Sequence, residues 1–224
     1  MKLLLCVLPI LTACCLGLAA IADETPVTIT FLADSNLNGR GGRSMLKREE
    51  EFRPVLVRAL AADGVHVEIE SPGWKEFSED GLSWINRAPS AAAMLAAPQK
   101  NAVMVEIGGN DCHNPFTLDQ TRSNLNQILK RLHEAHIPVL VVGYTPDARC
   151  QLSMGPTYLA EYTKMFSDLA SKYGDLYYPD FMDGVAGHPE LFQDDQEHAN
   201  AAGNVLVAER MLPVVKELVA QARK

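Results

Sequence analysis

The chain has 224 residues, of which 47% are hydrophobic and 21% are charged, and its formal net charge is −8 at pH 7. This composition is ordinary for one folded domain with a substantial apolar core. The sequence contains no basic stripe to oppose its acidic balance, so we expect no nucleic-acid partner.

The first 22 residues predict a secretory signal peptide. Met1-Lys2 gives a basic start, a long apolar run follows, and Ala20-Ile21-Ala22 has the small-residue pattern of a cleavage site. We therefore predict cleavage after Ala22, export to the periplasm or beyond, and a single mature domain over residues 23–224.

Two other interpretations of this leader stay open. Residues 3–22 are long enough to span a membrane, so the leader would then remain as an uncleaved anchor. Alternatively, Leu11-Thr12-Ala13-Cys14 resembles a bacterial lipobox, which would attach a lipid to Cys14. In either case the amino terminus would be the protein's only contact with a membrane.

Short β-rich runs alternate with longer amphipathic segments along the mature chain. This alternation predicts an α/β fold, a three-layer α/β/α sandwich of flavodoxin-like type around a mostly parallel five-stranded sheet. The predicted strands cover residues 27–33, 65–70, 102–107, 139–143 and 176–178. The predicted helices cover residues 52–62, 117–135, 156–172 and 201–221, while residues 71–98 show only a weak helical pattern.

Candidate site residues follow the first three predicted strands. Ser35 comes after the first strand, Gly73 after the second and Asn110 after the third. In a parallel sheet these positions lie at one edge, and ligands bind outside the carboxyl ends of the strands. We therefore expect a functional site at that edge.

Asp195 and His198 lie near the other end of the chain, three residues apart, so one short loop can present both. A serine hydroxyl is a poor nucleophile until an imidazole takes its proton, and a carboxylate holds that imidazole in the right tautomer. Ser35, His198 and Asp195 thus offer the three parts of a serine hydrolase. The neighbouring Asp194 is the alternative carboxylate.

Four segments together resemble the SGNH (GDSL) hydrolase superfamily, most closely its bacterial thioesterase, lysophospholipase and arylesterase subgroup. The matching segments are Ala33-Asp34-Ser35-Asn36, Gly73, Gly108-Gly109-Asn110-Asp111 and Asp195-Gln196-Glu197-His198. The resemblance implies a nucleophilic Ser35, a general base His198 and an orienting Asp195. It also implies an oxyanion hole from the Ser35 and Gly73 N–H groups and the Asn110 side chain, with no cofactor.

The expected activity is therefore that of an exported serine esterase, which hydrolyses a small-molecule ester, thioester or other acylated substrate through an acyl-enzyme. Several positions depart from the superfamily pattern: Ala33 replaces a glycine, Asn36 an apolar residue, Ala199 a proline and Cys112 a glycine, and Ser71-Pro72-Gly73-Trp74 differs from the usual second motif. These departures remove no group that the chemistry needs. Two alternatives stay open, a non-catalytic glycan- or surface-binding protein and a carbohydrate O-deacetylase.

The mature chain keeps two cysteines, Cys112 and Cys150. Two cysteines in an exported protein suggest one disulfide, and the alternative is a pair of free thiols. The histidines show no tight ligand spacing, so we predict no metal site. Among the histidines, His113 is the candidate for lining the pocket, because it follows the Asn110-Asp111 pair.

Overall fold

The computed structural model describes residues 25–38, 46–114, 116–146, 150 and 156–224. The signal peptide predicted for residues 1–22, its cleavage after Ala22 and lipidation at Cys14 lie outside the described residues. Among those residues, none of the helices has both the length and the apolar character that crossing a membrane requires.

One sheet of five parallel strands forms the centre of the fold, and it confirms the predicted α/β class. The strands are β1 (Val27–Ala33), β2 (Val67–Glu70), β3 (Asn101–Glu106), β4 (Val139–Val142) and β5 (Leu176–Tyr178). They stand in the order β2-β1-β3-β4-β5 with every neighbouring pair parallel. Strands β1, β3 and β4 are almost wholly buried, because the sheet is covered on both faces.

Seven helices in the described residues flank this sheet. They are α1 (Ser35–Asn38), α2 (Phe52–Ala62), α3 (Ser78–Arg87), α4 (Pro89–Ala96), α5 (Leu118–Glu134), α6 (Pro156–Tyr173) and α7 (Ala201–Ala222). Helices α2 and α7 pack together over one face of the sheet and enclose one apolar core. Helices α3 to α6 contribute to a second core on the opposite face.

The sequence-based boundaries agree with the structure to within one or two residues, apart from one segment. Residues 71–98, where the helical pattern is weak, contain two helices that are separated at Ala88. Pro89 occupies the first turn of α4, where its missing N–H leaves no helical hydrogen bond unmade. The weak pattern therefore reflects two short helices with different buried faces.

The loop that precedes α7 carries Asp195 and His198 and is fixed at both ends. Phe192 and Ala199 form an antiparallel bridge, and the N–H of Gln193 donates to the carbonyl oxygen of His198 at 2.7 Å. Asn200 caps α7 with its side-chain oxygen and donates from its NH₂ group to the carbonyl oxygen of Phe192 at 3.0 Å. The loop is therefore a closed unit at the start of a long helix.

A disulfide joins Cys112, in the 3₁₀ turn that follows β3, to Cys150, which comes after β4. The two Cα atoms are 5.4 Å apart, within the range that disulfides adopt. This is the pairing that the sequence suggests. It ties together two connections at the carboxyl edge of the sheet.

Gly203→Ala should destabilise the protein, because an added Cβ would lie 2.4 Å from the carbonyl oxygen of Leu191 and 3.0 Å from the Cβ of Ala199. Relieving such contacts typically costs about 1–3 kcal/mol, so the melting temperature should fall by several degrees. The control is Val205→Ala on the same helix, whose side chain is exposed and whose loss should change stability little. A Gly203→Ala protein as stable as wild type would contradict this account of the loop.

A protein of residues 23–224 should have a mass two hydrogens lower than its form with two thiols. Cys112 and Cys150 are both buried, so alkylation has to be carried out in denaturant, with and without reductant. We expect no alkylation without reductant and two additions with it. Two additions in the sample without reductant would rule the bridge out.

Candidate active site

The carboxyl edge of the sheet carries several of the residues that the sequence singles out. Ser35 begins α1 one residue after β1 ends, and Asn110 lies in the 3₁₀ turn Gly109–His113 that follows β3. Strand β1 lies between β2 and β3, so the chain runs from β1 to β2 on one side and then returns to β3 on the other side of β1. Ligand crevices form at such points in open parallel sheets. The topology thus directs Ser35 and Asn110 to one crevice.

A chain of hydrogen bonds links Ser35, His198 and Asp195. The Oγ of Ser35 lies 2.8 Å from Nε2 of His198, and Nδ1 of the same ring lies 2.8 Å from Oδ2 of Asp195. An ionised carboxylate only accepts, so Nδ1 carries the proton and Nε2 is left as the acceptor for the serine hydroxyl. This is the arrangement in which an imidazole can take a proton from serine.

Asp195 is held as a carboxylate by its surroundings. Burial raises the pKa of Asp195, but the hydrogen bonds from the His198 and Glu197 backbone and from the His198 ring outweigh it and hold the pKa below its ordinary value. The other oxygen, Oδ1, accepts the N–H of Glu197 at 2.9 Å and that of His198 at 3.0 Å. Asp195, and not the rival carboxylate Asp194, makes the contact with the imidazole.

Asn110 lies close to the loop that carries Ser35 and faces the same cleft as Ser35. Its Nδ2 donates to the carbonyl oxygen of Glu76 at 3.2 Å and lies 3.5 Å from Oδ2 of Asp34. Gly108, with φ of +104°, makes the left-handed turn between β3 and the 3₁₀ turn that presents Asn110. The amide group is therefore fixed from two sides.

Gly73 lies in the loop after β2 with φ of +84°, a backbone conformation that glycine adopts without strain. The loop is tied to the end of β1, because the N–H of Lys75 donates to the carbonyl oxygen of Ala33 at 3.2 Å. The described lining of the cleft around Ser35 does not include Gly73. A role for its N–H in an oxyanion hole therefore stays a prediction.

The cleft around Ser35 has a volume of about 540 Å³. Beside Ser35 and Asn110, part of its wall is apolar, and another part carries polar side chains. The apolar contributors are Tyr144, Met182, Ala186 and Phe192. The polar contributors include Asn36, Thr145 and Asp180.

Two buried carboxyl groups lie directly behind Ser35, and sequence reasoning missed one of them. Asp34 precedes Ser35, and Glu106 is the last residue of β3; each is only 2% exposed. Burial raises the pKa of Asp34 to about 6, and burial together with the negative charge of Asp34 raises the pKa of Glu106 well above its ordinary value. The sequence does contain a signal for Glu106: it is an acidic residue at the end of an apolar strand, where burying an isolated charge is costly.

Asp111 fixes the turn that presents Asn110. Its carboxylate accepts the backbone N–H of Ser78 at 2.9 Å and the hydroxyl groups of Ser78 and Thr121. These contacts join the turn to the first residues of α3 and α5. Burial raises the pKa of Asp111 above its ordinary value, although the hydrogen bonds from Ser78 and Thr121 oppose the shift. The geometry assigns Asp111 to the support of the site.

His113 belongs to a different cluster from the cleft. Ligand atoms of Cys112, His113 and Cys150 lie within 4.8 Å of one another. Both sulfur atoms are in the disulfide, so neither offers the thiolate that a metal ion would need. The cluster therefore does not fit a metal site while the bridge is formed.

Comparison with known proteins gives this geometry a family context. The GDSL-like Lipase/Acylhydrolase family matches residues 31–206 of the chain. Thioesterase 1/protease 1/lysophospholipase L1 of Escherichia coli K12 is 30% identical over 142 residues, which are 63% of this chain and 64% of that protein. The chain thus spans slightly under two thirds of that relative. Esterase TesA of Pseudomonas aeruginosa is 22% identical over 206 residues, which are 92% of this chain and 96% of that one.

Solved structures show the same fold. The esterase EstA from Pseudoalteromonas sp. superposes with a TM-score of 0.72 at 21% identity, over 87% of this chain and 99% of that chain. AlinE4, an SGNH-hydrolase family esterase, superposes with a TM-score of 0.65 at 27% identity, over 86% of this chain and 96% of that chain. Because the family match extends from β1 into α7 and includes the strand ends that present Ser35 and Asn110, the chain belongs to the GDSL-like lipase/acylhydrolase (SGNH) family.

Proposed function

We propose that this protein is an exported serine esterase that cleaves ester or thioester bonds through an acyl-enzyme. One observation carries the proposal, the continuous hydrogen-bond chain from Ser35 Oγ through His198 to Asp195, at the edge of a cleft of about 540 Å³. A purely structural serine has no need of a neutral imidazole that is itself held by a carboxylate. Export rests on the signal peptide predicted for residues 1–22.

In the first step, Ser35 Oγ attacks the carbonyl carbon of the substrate while its proton passes to Nε2 of His198. Asp195 stabilises the imidazolium that forms, since its carboxylate already accepts the Nδ1 proton. The imidazolium then gives its proton to the leaving alcohol or thiol, and an acyl group remains on Ser35. Water, activated by the same ring, attacks that acyl group and releases the acid.

The oxyanion that forms during each attack needs donors placed near Ser35. Asn110 supplies a side-chain NH₂ group at the cleft; one of its hydrogens bonds the Glu76 carbonyl oxygen, and the other makes only the 3.5 Å contact with Asp34 and is the one that an oxyanion would take. The backbone N–H of Ser35 stands at the start of α1. The N–H of Gly73 is the third proposed donor. Its loop is connected to Asn110 by the hydrogen bond between Asn110 Nδ2 and the carbonyl oxygen of Glu76.

The substrate class is proposed from the walls of the cleft. The apolar wall formed by Tyr144, Met182, Ala186 and Phe192 is suited to an acyl chain. The polar groups of Asn36, Thr145 and Asp180 line the same cleft and favour a second candidate, an acylated sugar, which would make the protein a carbohydrate O-deacetylase. Release of acid from p-nitrophenyl esters of increasing chain length, compared with release of acetate from acetylated sugars, separates the two.

A non-catalytic binding protein with the same fold is the alternative from another class. It is motivated by Ala33, Asn36 and Ala199, three of the positions that depart from the superfamily pattern. The hydrogen-bonded Ser35, His198 and Asp195 favour the enzyme, because binding alone has no use for an acceptor nitrogen aimed at a serine hydroxyl. Absence of turnover on every ester tested would favour the binding protein.

Ser35→Ala should abolish hydrolysis of a short p-nitrophenyl ester, since the attacking oxygen is removed. His198→Ala should cost nearly as much, because the two residues act as a unit. Circular dichroism and the melting temperature should show that both variants remain folded. The control is Ser123→Ala, which removes an exposed hydroxyl on α5 and should keep full turnover. Near-normal turnover by Ser35→Ala would refute the assignment of Ser35 as the nucleophile.

Asn110→Ala should lower kcat by about 10²–10³-fold with little change in KM, the usual loss for one side-chain oxyanion donor. A matched control is Asn101→Ala at the opposite end of β3, where the side chain donates to the carbonyl oxygen of Ala97. That variant should keep the wild-type kcat. If Asn110→Ala changes only KM, the residue positions substrate and does not stabilise the oxyanion.

A further inference from the structure

Two carboxyl groups are buried together behind the nucleophile, and nothing in the reaction described above uses them directly. Glu106 pairs with Ala33 across β1 and β3, and the N–H of Asp34 donates to the carbonyl oxygen of Glu106 at 3.0 Å. The two carboxyl groups interact with each other, and both are almost fully buried. They form one connected pair beneath the first residue of α1.

A hydrogen bond between two carboxyl groups requires one proton, because two carboxylates offer only acceptors and repel each other. The Asp34 carboxylate accepts the N–H of Asn36 and lies near the amide of Asn110, and both donors favour its charged form, so the proton resides on Glu106. Oε2 of Glu106 has no hydrogen-bond partner among the described residues. A neutral carboxyl group tolerates that position better than a carboxylate does.

Asp34 then carries the single negative charge of the pair, and it holds two groups of the site. Its Oδ1 accepts the N–H of Asn36 at 2.9 Å, which fixes the backbone just after Ser35. Its Oδ2 lies 3.5 Å from Nδ2 of Asn110, the proposed oxyanion donor. The other charged groups that act on Asp34 are His198, which favours its ionised form, and Glu197, which opposes it.

We propose that Glu106 is a positioning residue, and that the one proton it shares with Asp34 keeps Asp34 singly charged and directed at the backbone of Asn36 and the amide of Asn110. Without that proton, two adjacent negative charges would separate and release the amide. Without Glu106, Asp34 would be buried without its partner and would take up a proton itself. This role rests on the proposed function, because the placement of Asn110 matters only if an oxyanion develops.

The proton has a thermodynamic consequence that does not depend on activity. A carboxyl group with a raised pKa keeps its proton in the folded state at a pH where the unfolded chain has already released it. Its contribution to stability is therefore complete below the unfolded pKa and is lost as pH rises toward the folded pKa. As pH rises above the pKa of glutamate in the unfolded chain toward the raised pKa of Glu106 in the folded state, wild type should lose stability relative to Glu106→Gln, because glutamine has no proton to release.

The experiment uses Glu106→Gln, which keeps the shape and an N–H donor for Asp34, and Glu106→Leu, which keeps the approximate volume and removes the donor. The matched control is Asp175→Asn, which changes a half-buried carboxyl group whose pKa is also raised by burial, at the amino end of β5, the opposite edge of the sheet from Ser35. Melting temperatures are measured against pH for all four proteins. Values of kcat and KM are measured with a p-nitrophenyl ester.

We expect the melting temperature of Glu106→Gln to rise relative to wild type as pH increases, with kcat close to the wild-type value. Glu106→Leu should lower kcat by about 10–100-fold at nearly constant KM, the loss that a small displacement of a reacting group can cause. In an Asn110→Ala background, Glu106→Leu should cost little more, because both changes act through the same amide. Asp175→Asn should leave kcat unchanged.

A difference in melting temperature between wild type and Glu106→Gln that stays constant with pH would overturn the proposal that Glu106 and Asp34 share a proton. An unchanged kcat in a folded Glu106→Leu protein, or a full additional loss in the Asn110→Ala background, would overturn the positioning role. If Glu106→Leu fails to fold, a large loss of kcat in a stable Glu106→Gln would overturn it instead. If wild type hydrolyses no ester, the proposed function and the positioning role fail together. The melting temperatures still show whether Asp34 and Glu106 share a proton.

Discussion

The hydrogen bond between the Ser35 hydroxyl and Nε2 of His198 joins residues 163 positions apart in the chain, and it sets the demands that the surrounding structure meets. Both partners have to be fixed to within a few tenths of an ångström, although neither lies in a long regular element. Ser35 gains its position from the end of a buried strand. His198 gains its position from a loop closed by the Phe192–Ala199 bridge and anchored by the Asn200 cap of α7.

The same edge of the sheet concentrates polar groups over an apolar core. Strands β1 and β3 are buried along nearly their whole length, yet Asp34 directly follows β1 and Glu106 is the last residue of β3. Asp111 lies a few residues further on and is bonded to Ser78 and Thr121. Asp34 and Asp111 accept hydrogen bonds from neighbouring N–H and hydroxyl groups, as the cost of burying a polar group requires, and the proposed shared proton would meet the same requirement at Glu106. These contacts hold the segments that carry Ser35 and Asn110 in place.

Much of the fold was predictable because a parallel sheet covered on both faces leaves a strong pattern of short apolar runs between amphipathic helices. The prediction was weakest over residues 71–98, where α3 and α4 are short and bury different faces. Glu106 was not predicted as a site residue, because its neighbours in the strand are apolar and its partner, Asp34, is distant in the chain. Gly73 can be located from the sequence only as a glycine after a strand, since the position of its N–H depends on the path of the loop.

The sequence by itself determined the class of fold, the family, and the set of groups from which a hydrolytic site can be built. Those properties depend on local periodicity and on residue types at short spacing, which the chain displays directly. Only the tertiary structure decided that Asp195 and not Asp194 meets His198, that Asn110 is held between Asp34 and the Glu76 carbonyl, and that Asp34 and Glu106 share one buried environment. Such pairings depend on distances between segments far apart in the chain, and these distances exist only after the strands have aligned and the core has packed.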